Sequence, residues 1–451
     1  MEQRVLDTVL DRVRDRLEHN DLAGAIDIIE RLYPPDQADI LSELEPEQQE
    51  ALLTQLETEQ AADILEELEE EEAAEIASRL PLETLSDIVD EMETDEAADL
   101  LGDMEPEQAS EVLARMRDAD DVRPLLLHKD ETAGGLMTSE FLALRERMTV
   151  RQALEAVRRW SPEKEEAVHY LFIVDDQDRL QGIVSLYELI KAGPDQRLGE
   201  IMSTDVISVP AEADQEQCAH LMRRYDLYAL PVVDAGNRLI GVITVDDIVD
   251  VIVDEQSEDM ERFGGSLPLD KPYLDTSVFQ VARKRMGWLF LLFVADTFTG
   301  TVLRHFEHEL AAVVALSFFI PLLIGTGGNA GSQTTSTIIR GLATGEIRIR
   351  DALRVFWHEA RVGFFLGLMM GTAAFIRAIT WDPSHPLLAI AVGTAAVAIV
   401  FWANCLGSLL PIIAARLRID PAIVSGPFMA TMVDATGLYI YFRIAKLILG
   451  I

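Results

Sequence analysis

FMATMVDATGLYIYF, residues 428–442, is an apolar run with one carboxylate, Asp434, near its middle. Its length and hydrophobicity suit a membrane-crossing helix, which needs about 20 mostly apolar residues. A carboxylate at that depth costs roughly 2.5–3.5 kcal/mol on insertion scales, so it is expected to face water and act on a cation. Asp434 is read here as the only carboxylate deep in the apolar part of the chain. Small residues flank it: Ala430, Thr431, Ala435, Thr436 and Gly437. They allow close helix approach and leave room for a hydrated ion.

Four further apolar runs precede this one. The five spans are read at about 286–304, 311–339, 358–379, 387–415 and 422–442. Basic residues precede span 1 (Arg283, Lys284, Arg285), separate spans 2 and 3 (Arg340, Arg348, Arg350, Arg354) and separate spans 4 and 5 (Arg416, Arg418). The positive-inside rule puts all three places on the cytoplasmic side. The N-terminus is then cytoplasmic and the C-terminus outside, with Arg443 and Lys446 snorkelling to the outer interface. Span 2 contains GTGGNAGSQTT (325–335), where glycines alternate with Thr326, Asn329, Ser332, Gln333 and Thr334. Two readings stand together: a polar face exposing oxygens toward a cavity, and a Gly327–Gly331 packing face.

The donors available are oxygens. Cys218 and Cys405 lie far apart and neither has a neighbour at metal-ligand spacing, which excludes a zinc site or a disulfide framework. Oxygen donors select hard cations such as Mg²⁺ or Ca²⁺. One Asp among hydroxyls and amides suits a Mg²⁺ that keeps several waters.

The front of the chain is of another kind. Residues 1–130 hold 40 acidic and 10 basic residues, net −30, whereas residues 281–451 are net +5. Such acidity excludes nucleic acid as a partner and fits cations. From Tyr33 run seven units of twelve residues, beginning YPPDQADILSEL and ending EPEQASEVLARM, each with Leu or Met at its twelfth position. Each predicts one short helix and a turn. Units of this kind bury their apolar stripe only by stacking, so residues 1–130 are expected to form an all-α helical solenoid.

Residues 131–253 read differently. VHYLFIVDDQDRLQGIVSLYELI (168–190) and LYALPVVDAGNRLIGVITVDDIVDVI (227–252) are two copies of strand, hairpin turn, strand and helix, each preceded by a helical stretch. The pattern resembles a tandem pair of cystathionine-β-synthase-type (CBS) modules, which are regulatory and often bind adenine nucleotides. Residues 254–282 begin as a polar, plug-like continuation of the last helix and break at Gly264-Gly265 and Pro268. Residues 283–451 form the five-span helical transmembrane domain. No GxxxxGK[ST] and no nucleophile–base arrangement is present, so an enzyme is not expected.

Taken together, the solenoid, the CBS pair, the polar helix and five spans with GTGGNAGSQ and a span-5 Asp resemble the MgtE family of Mg²⁺ channels. ETAGGLMTSE (131–140) resembles that family's entry into the CBS pair. The resemblance implies a homodimer in the bilayer, with its pore on the two-fold axis and Asp434 of both subunits forming the ion site. Asn329, Gln333, Ala430 and Thr431 are the pore residues expected beside it. It implies a Mg²⁺-selective uptake channel of the cytoplasmic (inner) membrane, closed by Mg²⁺ bound between acidic cytoplasmic domains, with ATP a candidate ligand of the CBS pair. The regulatory carboxylates singled out are Asp214, Glu216, Asp226, Asp246, Asp247, Asp250, Asp254, Glu258, Asp259 and Asp420, together with Glu59, Glu91 and Asp95 in the solenoid. Asp247, Asp250, Asp254 and Glu258 recur at helical spacing and form one acidic stripe, which repels itself unless cations bridge it. One departure from the family concerns span 5: Ser425-Gly426 precede Pro427 where some relatives are expected to carry Asn-Pro, so an amide oxygen is missing from the pore mouth. Two alternatives are a broader divalent-cation carrier (Co²⁺, Mn²⁺) and a nucleotide-sensing CBS protein with a membrane anchor.

Overall fold

A computed structural model describes residues 3–160, 169–269, 273–274 and 276–450. Val168, the first residue of one repeated copy, lies outside these. The chain divides into two compact units, Met1–Val253 and Asp254–Ile451.

The first unit opens with α1 (Gln3–Glu18) and α2 (Leu22–Ile29). The twelve-residue repeat then becomes α3 (Pro34–Ser42), α4 (Pro46–Leu53), α5 (Thr58–Glu66), α6 (Glu70–Ala77), α7 (Leu82–Val89), α8 (Thr94–Asp103) and α9 (Pro106–Leu113). Every one starts at the same position of its unit, because acidic residues or Pro sit where a helix N-terminus favours them. Eight to ten helical residues and a short turn reverse the chain each time. Helices therefore stack on their second neighbours, α3 on α5 on α7 on α9 and α4 on α6 on α8. The stack buries Ile40, Leu52, Ile64, Leu65, Ile76 and Ile88 in one continuous core. Leu65→Ala is expected to lower stability by about 2–5 kcal/mol, read as a fall in the urea midpoint of the solenoid's helical signal, because Leu65 is 1% exposed.

After α10 (Ala119–Val122) come two sheets of three. In the first, β1 (Ala143–Arg145) lies parallel to β2 (Tyr170–Val174), which pairs antiparallel with β3 (Leu180–Ser185). α11 (Val150–Val157) joins β1 to β2, and α12 (Leu186–Lys191) and α13 (Leu198–Ile201) follow β3. The second repeats this with β4 (Val209–Pro210), α14 (Gln215–Tyr225), β5 (Ala229–Val233), β6 (Leu239–Thr244) and α15 (Val245–Gly264). Even the register slip recurs, at Ile173/Val174 and Val232/Val233.

Both hairpins are built alike. Asp175 accepts hydrogen bonds from the Gln177 and Arg179 amides, and Asp234 from those of Gly236 and Arg238. Asp178 and Asn237 take positive φ, 62° and 60°, a conformation that short polar side chains tolerate. The copies exchange reciprocal bonds: the Leu180 amide donates to Asn237 O (3.0 Å) and the Leu239 amide to Asp178 O (3.1 Å). Equivalent positions thus meet each other, as an approximate two-fold requires.

The second unit holds the end of α15 and α16 (Val278–His305), α17 (Glu307–Ala312), α18 (Ala315–Ala343), α19 (Ala352–Trp381), α20 (Pro386–Arg416) and α21 (Gly426–Leu449). Five of these are long. By length and composition, Val278–His305, Ile349–Trp381 and Pro386–Arg416 are apolar enough to cross a membrane. α18 and α21 fall below that measure because they carry the Gly/Thr/Asn/Gln block and Asp434, which lower their mean hydropathy. α20 is the hub, packed against α18, α19 and α21. Glycine makes its contact with α19 possible: a Cβ on Gly371 would stand 2.7 Å from Gly393 O, and one on Gly367 2.8 Å from Val397 O.

Candidate functional site

Two faces of α18 resolve the double reading of its sequence. Gly327, Gly328 and Gly331 are buried, while Gly325, Asn329 and Gln333 recur every fourth residue on an exposed face. On the buried face, a Cβ on Gly327 would meet Ile399 and Val433, and one on Gly328 would touch Ala430 at 3.5 Å. α18 and α21 therefore approach closely at Ala430. Thr334 donates to Asn404 Oδ1 (2.7 Å) and stands 3.4 Å from Glu359, a polar link between α18, α19 and α20.

Ala430, Thr431 and Asp434 are half-buried on α21. The Thr431 hydroxyl is turned back to Pro427 O (3.1 Å), so it does not face Asp434 as a free donor. The Asp434 carboxylate has no hydrogen bond or ion pair among the described residues. Asp434 is not, however, the only carboxylate deep in the apolar helices, as the sequence reading held. Asp296, on α16, is close enough for its charge to act on Asp434. The sequence shows Asp296 plainly within an apolar run; only concentration on the last span passed over it.

The N-terminal end of α21 is anchored. Ser425 caps the helix, accepting from the Phe428 amide (3.3 Å) and from Trp288 Nε1 (3.1 Å). Gly426 O accepts from Ser332 (3.2 Å). A Cβ on Gly426 would touch the ring of Phe263, at the end of α15, at 3.6 Å.

The end of α15 reaches Asp420. A protein cation occupies the bridge. Arg262 donates to Asp420 Oδ2 at 2.6 Å and pairs with Glu258 one turn back. Asp259 is half-buried beside Asp420, and burial, then the Asp420 charge, pushes its carboxyl above the usual range. Spacing among acids carries no signal for Arg262, because a basic partner is no part of that pattern.

A second acidic cluster lies inside the first unit, where α8 meets the CBS pair. Thr94 shares a hydrogen bond with Thr138 (3.0 Å) and accepts one from the Ser139 amide (3.0 Å). Beside it Asp95 is buried, with its Oδ1 lacking a hydrogen-bond partner among the described residues. Burial foremost, then Asp247 and neighbouring acids, raises the Asp95 carboxyl well above its ordinary value. Glu96 is raised by burial and then Asp99, and Asp99 to about 8 by burial and then Glu70. Asp247 is oriented by Thr244, whose hydroxyl donates to it (2.6 Å). Among the described residues no three His, Cys, Asp or Glu side chains converge tightly enough to grip one ion directly. Sequence reasoning found Asp95 and Asp247 but missed Glu96 and Asp99, whose burial depends on packing.

Other expected acids have local tasks. Asp214 caps α14 by accepting from the Glu216 amide (3.0 Å), which places Glu216 in that helix's first turn. Asp226 ends the helix at φ 52°. Asp246 Oδ1 is buried without a hydrogen-bond partner among the described residues, and Asp250 is exposed. Asp254 begins the second unit on α15. Glu59 is an exposed first-turn residue of α5, and Glu91 is paired with Arg117 at 2.9 Å.

A CBS pair followed by long apolar helices, with a polar glycine-rich helix packed on the helix that carries Asp434, has the make-up of a membrane protein with a regulatory domain. The family model described as MgtE, divalent cation transporter, matches residues 320–444; the MgtE intracellular N domain matches 32–131, and CBS domains match 133–195 and 198–254. The chain is 43% identical over 333 residues to the magnesium transporter MgtE of Thermus thermophilus, covering 74% of this chain and 73% of that one. It is 35% identical to the magnesium transporter MgtE of Bacillus subtilis, over 72% of this chain and 71% of the other. A crystal structure of the cytosolic domain of the Mg²⁺ channel MgtE in complex with ATP superimposes with a TM-score of 0.51 at 36% identity, covering 54% of this chain and 99% of that one. This chain belongs to the MgtE family.

Proposed function

We propose that this chain is a Mg²⁺-selective channel that admits Mg²⁺ across the cytoplasmic membrane and is shut by Mg²⁺ bound to its acidic cytoplasmic domains. The observation that carries it is the carboxylate of Asp434 midway along α21, without a hydrogen bond or ion pair among the described residues, on the helix against which the glycine face of α18 packs. All five long helices cross the bilayer in this reading, with the N-terminus in the cytoplasm. Two copies form a dimer, so that a pair of Asp434 carboxylates flanks the path. Uptake is driven by the membrane potential, about 2.3 kcal/mol per elementary charge per 100 mV. The test is flux into liposomes containing purified protein, with Mg²⁺, Co²⁺ and Mn²⁺ compared. Mg²⁺ entry exceeding the others supports the reading, and equal entry of all three supports a broad divalent carrier.

Gating rests on two clusters, Asp95–Asp99 with Asp247 and Glu258–Asp259 with Asp420. Cations there stabilise the closed form through their greater affinity for it. Arg262 supplies part of that charge permanently. Arg262→Gln is therefore expected to raise flux at low internal Mg²⁺ and to enlarge the inhibition produced by high internal Mg²⁺, measured in the same liposomes. A nucleotide is proposed for the CBS pair, on the likeness to the ATP-bound relative. A cavity of 730 Å³ beside Tyr170, Ser185, Glu188 and Lys191, and the stacking of His169 on Tyr228, support it. Calorimetric titration with ATP tests this point.

A further inference from the structure

α16 runs along α21 in the same direction. At one end Trp288 meets Phe428, ring centres 6.4 Å apart, and donates to Ser425. At the other end Phe306 stacks on Phe442 at 5.0 Å and meets Tyr439 at 5.8 Å. Between these contacts the half-buried residues Trp288, Leu292, Ala295, Thr299 and Val302 recur every three or four positions and mark the face turned to α21. Asp296 follows Ala295, on the flank of that face, and the two end contacts set it level with Asp434. Asp296 has no ion pair or hydrogen bond among the described residues. The Thr299 hydroxyl, one turn further on, is buried and also lacks a partner among them.

A carboxylate turned to lipid at this depth costs roughly 2.5–3.5 kcal/mol, so Asp296 is expected to share the aqueous environment of Asp434. We propose that Asp296 is a specificity-determining residue of the permeation path, acting with Asp434 to favour divalent over monovalent cations. Two nearby carboxylates at low effective dielectric repel each other. A divalent ion offsets twice as much of this carboxylate charge as a monovalent ion does. This inference rests on the reading of Asp434 as the ion site.

The experiment compares Mg²⁺ and K⁺ flux in liposomes for the full chain and for Asp296→Asn, Asp296→Glu and Asp434→Ala, each first shown to be monodisperse in detergent. Asp296→Asn is expected to lower the Mg²⁺-to-K⁺ flux ratio roughly tenfold, equivalent to ~1.4 kcal/mol, and Asp296→Glu to restore it. An unchanged ratio in Asp296→Asn, or equal losses of both fluxes, overturns the proposal while the pore reading stands. Undiminished Mg²⁺ flux in Asp434→Ala sinks the pore reading instead.

Discussion

Mg²⁺ flux through the Asp434→Ala variant is expected to fall to that of protein-free liposomes, with folding and association unchanged. Asp434 is half-buried and makes no hydrogen bond or ion pair among the described residues, so truncating it removes charge without orphaning a partner. The neighbouring helix contact is made by Gly328 against Ala430 and by Met429 and Val433 against Gly331, none of which the substitution touches. Asp434→Asn keeps shape and polarity but loses the charge that offsets a divalent ion, and is expected to conduct little. Size-exclusion profiles matching the parent, together with background flux, would bear this out. Parental flux in Asp434→Ala would falsify the ion-site assignment.

The second large effect concerns protons and Mg²⁺ at the junction of α8 with the CBS pair. Asp95, Glu96 and Asp99 are all raised there, Asp99 from an ordinary 3.8 to about 8. The facing charges are also acids: Glu66, Glu70, Glu93, Asp103, Asp130 and Asp247. A carboxyl whose pKa is higher in the docked form binds its proton more tightly there. Docking is therefore unpenalised below the ordinary value, loses stability as pH rises from about 4 to about 8, and carries the full penalty above that. A divalent cation substitutes for the protons. In chelator, cleavage of the 117–135 segment by protease is expected to quicken markedly as pH rises toward about 8 and to level off above it. Millimolar Mg²⁺ should suppress the increase. Adding Mg²⁺ near neutrality should also release protons, measurable in weak buffer. Cleavage that ignores both pH and Mg²⁺ would remove this cluster from the sensor and leave the pore untouched.

Much of the architecture was legible from periodicity. Twelve-residue spacing gave α3 to α9 because each unit carries its own start signal and its own terminal Leu or Met. The duplicated hairpins were legible because Asp175 and Asp234 make the same local turn from the same four-residue spacing. These are short-range effects, set by residues a few positions apart. Asp434 stood out for a similar reason, since one charge in an apolar run conflicts with its solvent whatever the fold.

Charge spacing did less well at the sensor. It put Glu258 in an acidic stripe but gave no sign of Arg262 standing between Glu258 and Asp420, since that contact closes across 158 positions of chain. It offered Glu59 and Glu91 on equal terms with Asp95, though one is exposed, another is paired with Arg117, and the last is buried without a partner for its Oδ1.

Composition, repeat length and hydropathy by themselves marked out the order of elements and the central carboxylate, because helix caps, hairpin turns and the cost of a charge in lipid are local, and the motif GTGGNAGSQ with the CBS repeat carried the resemblance to the family. Only the tertiary structure decided which acids lose their water, which cation stands beside Asp420, and that Asp296 lies level with Asp434. Desolvation and Coulomb interaction depend on distance through space, and sequence separation carries no measure of it.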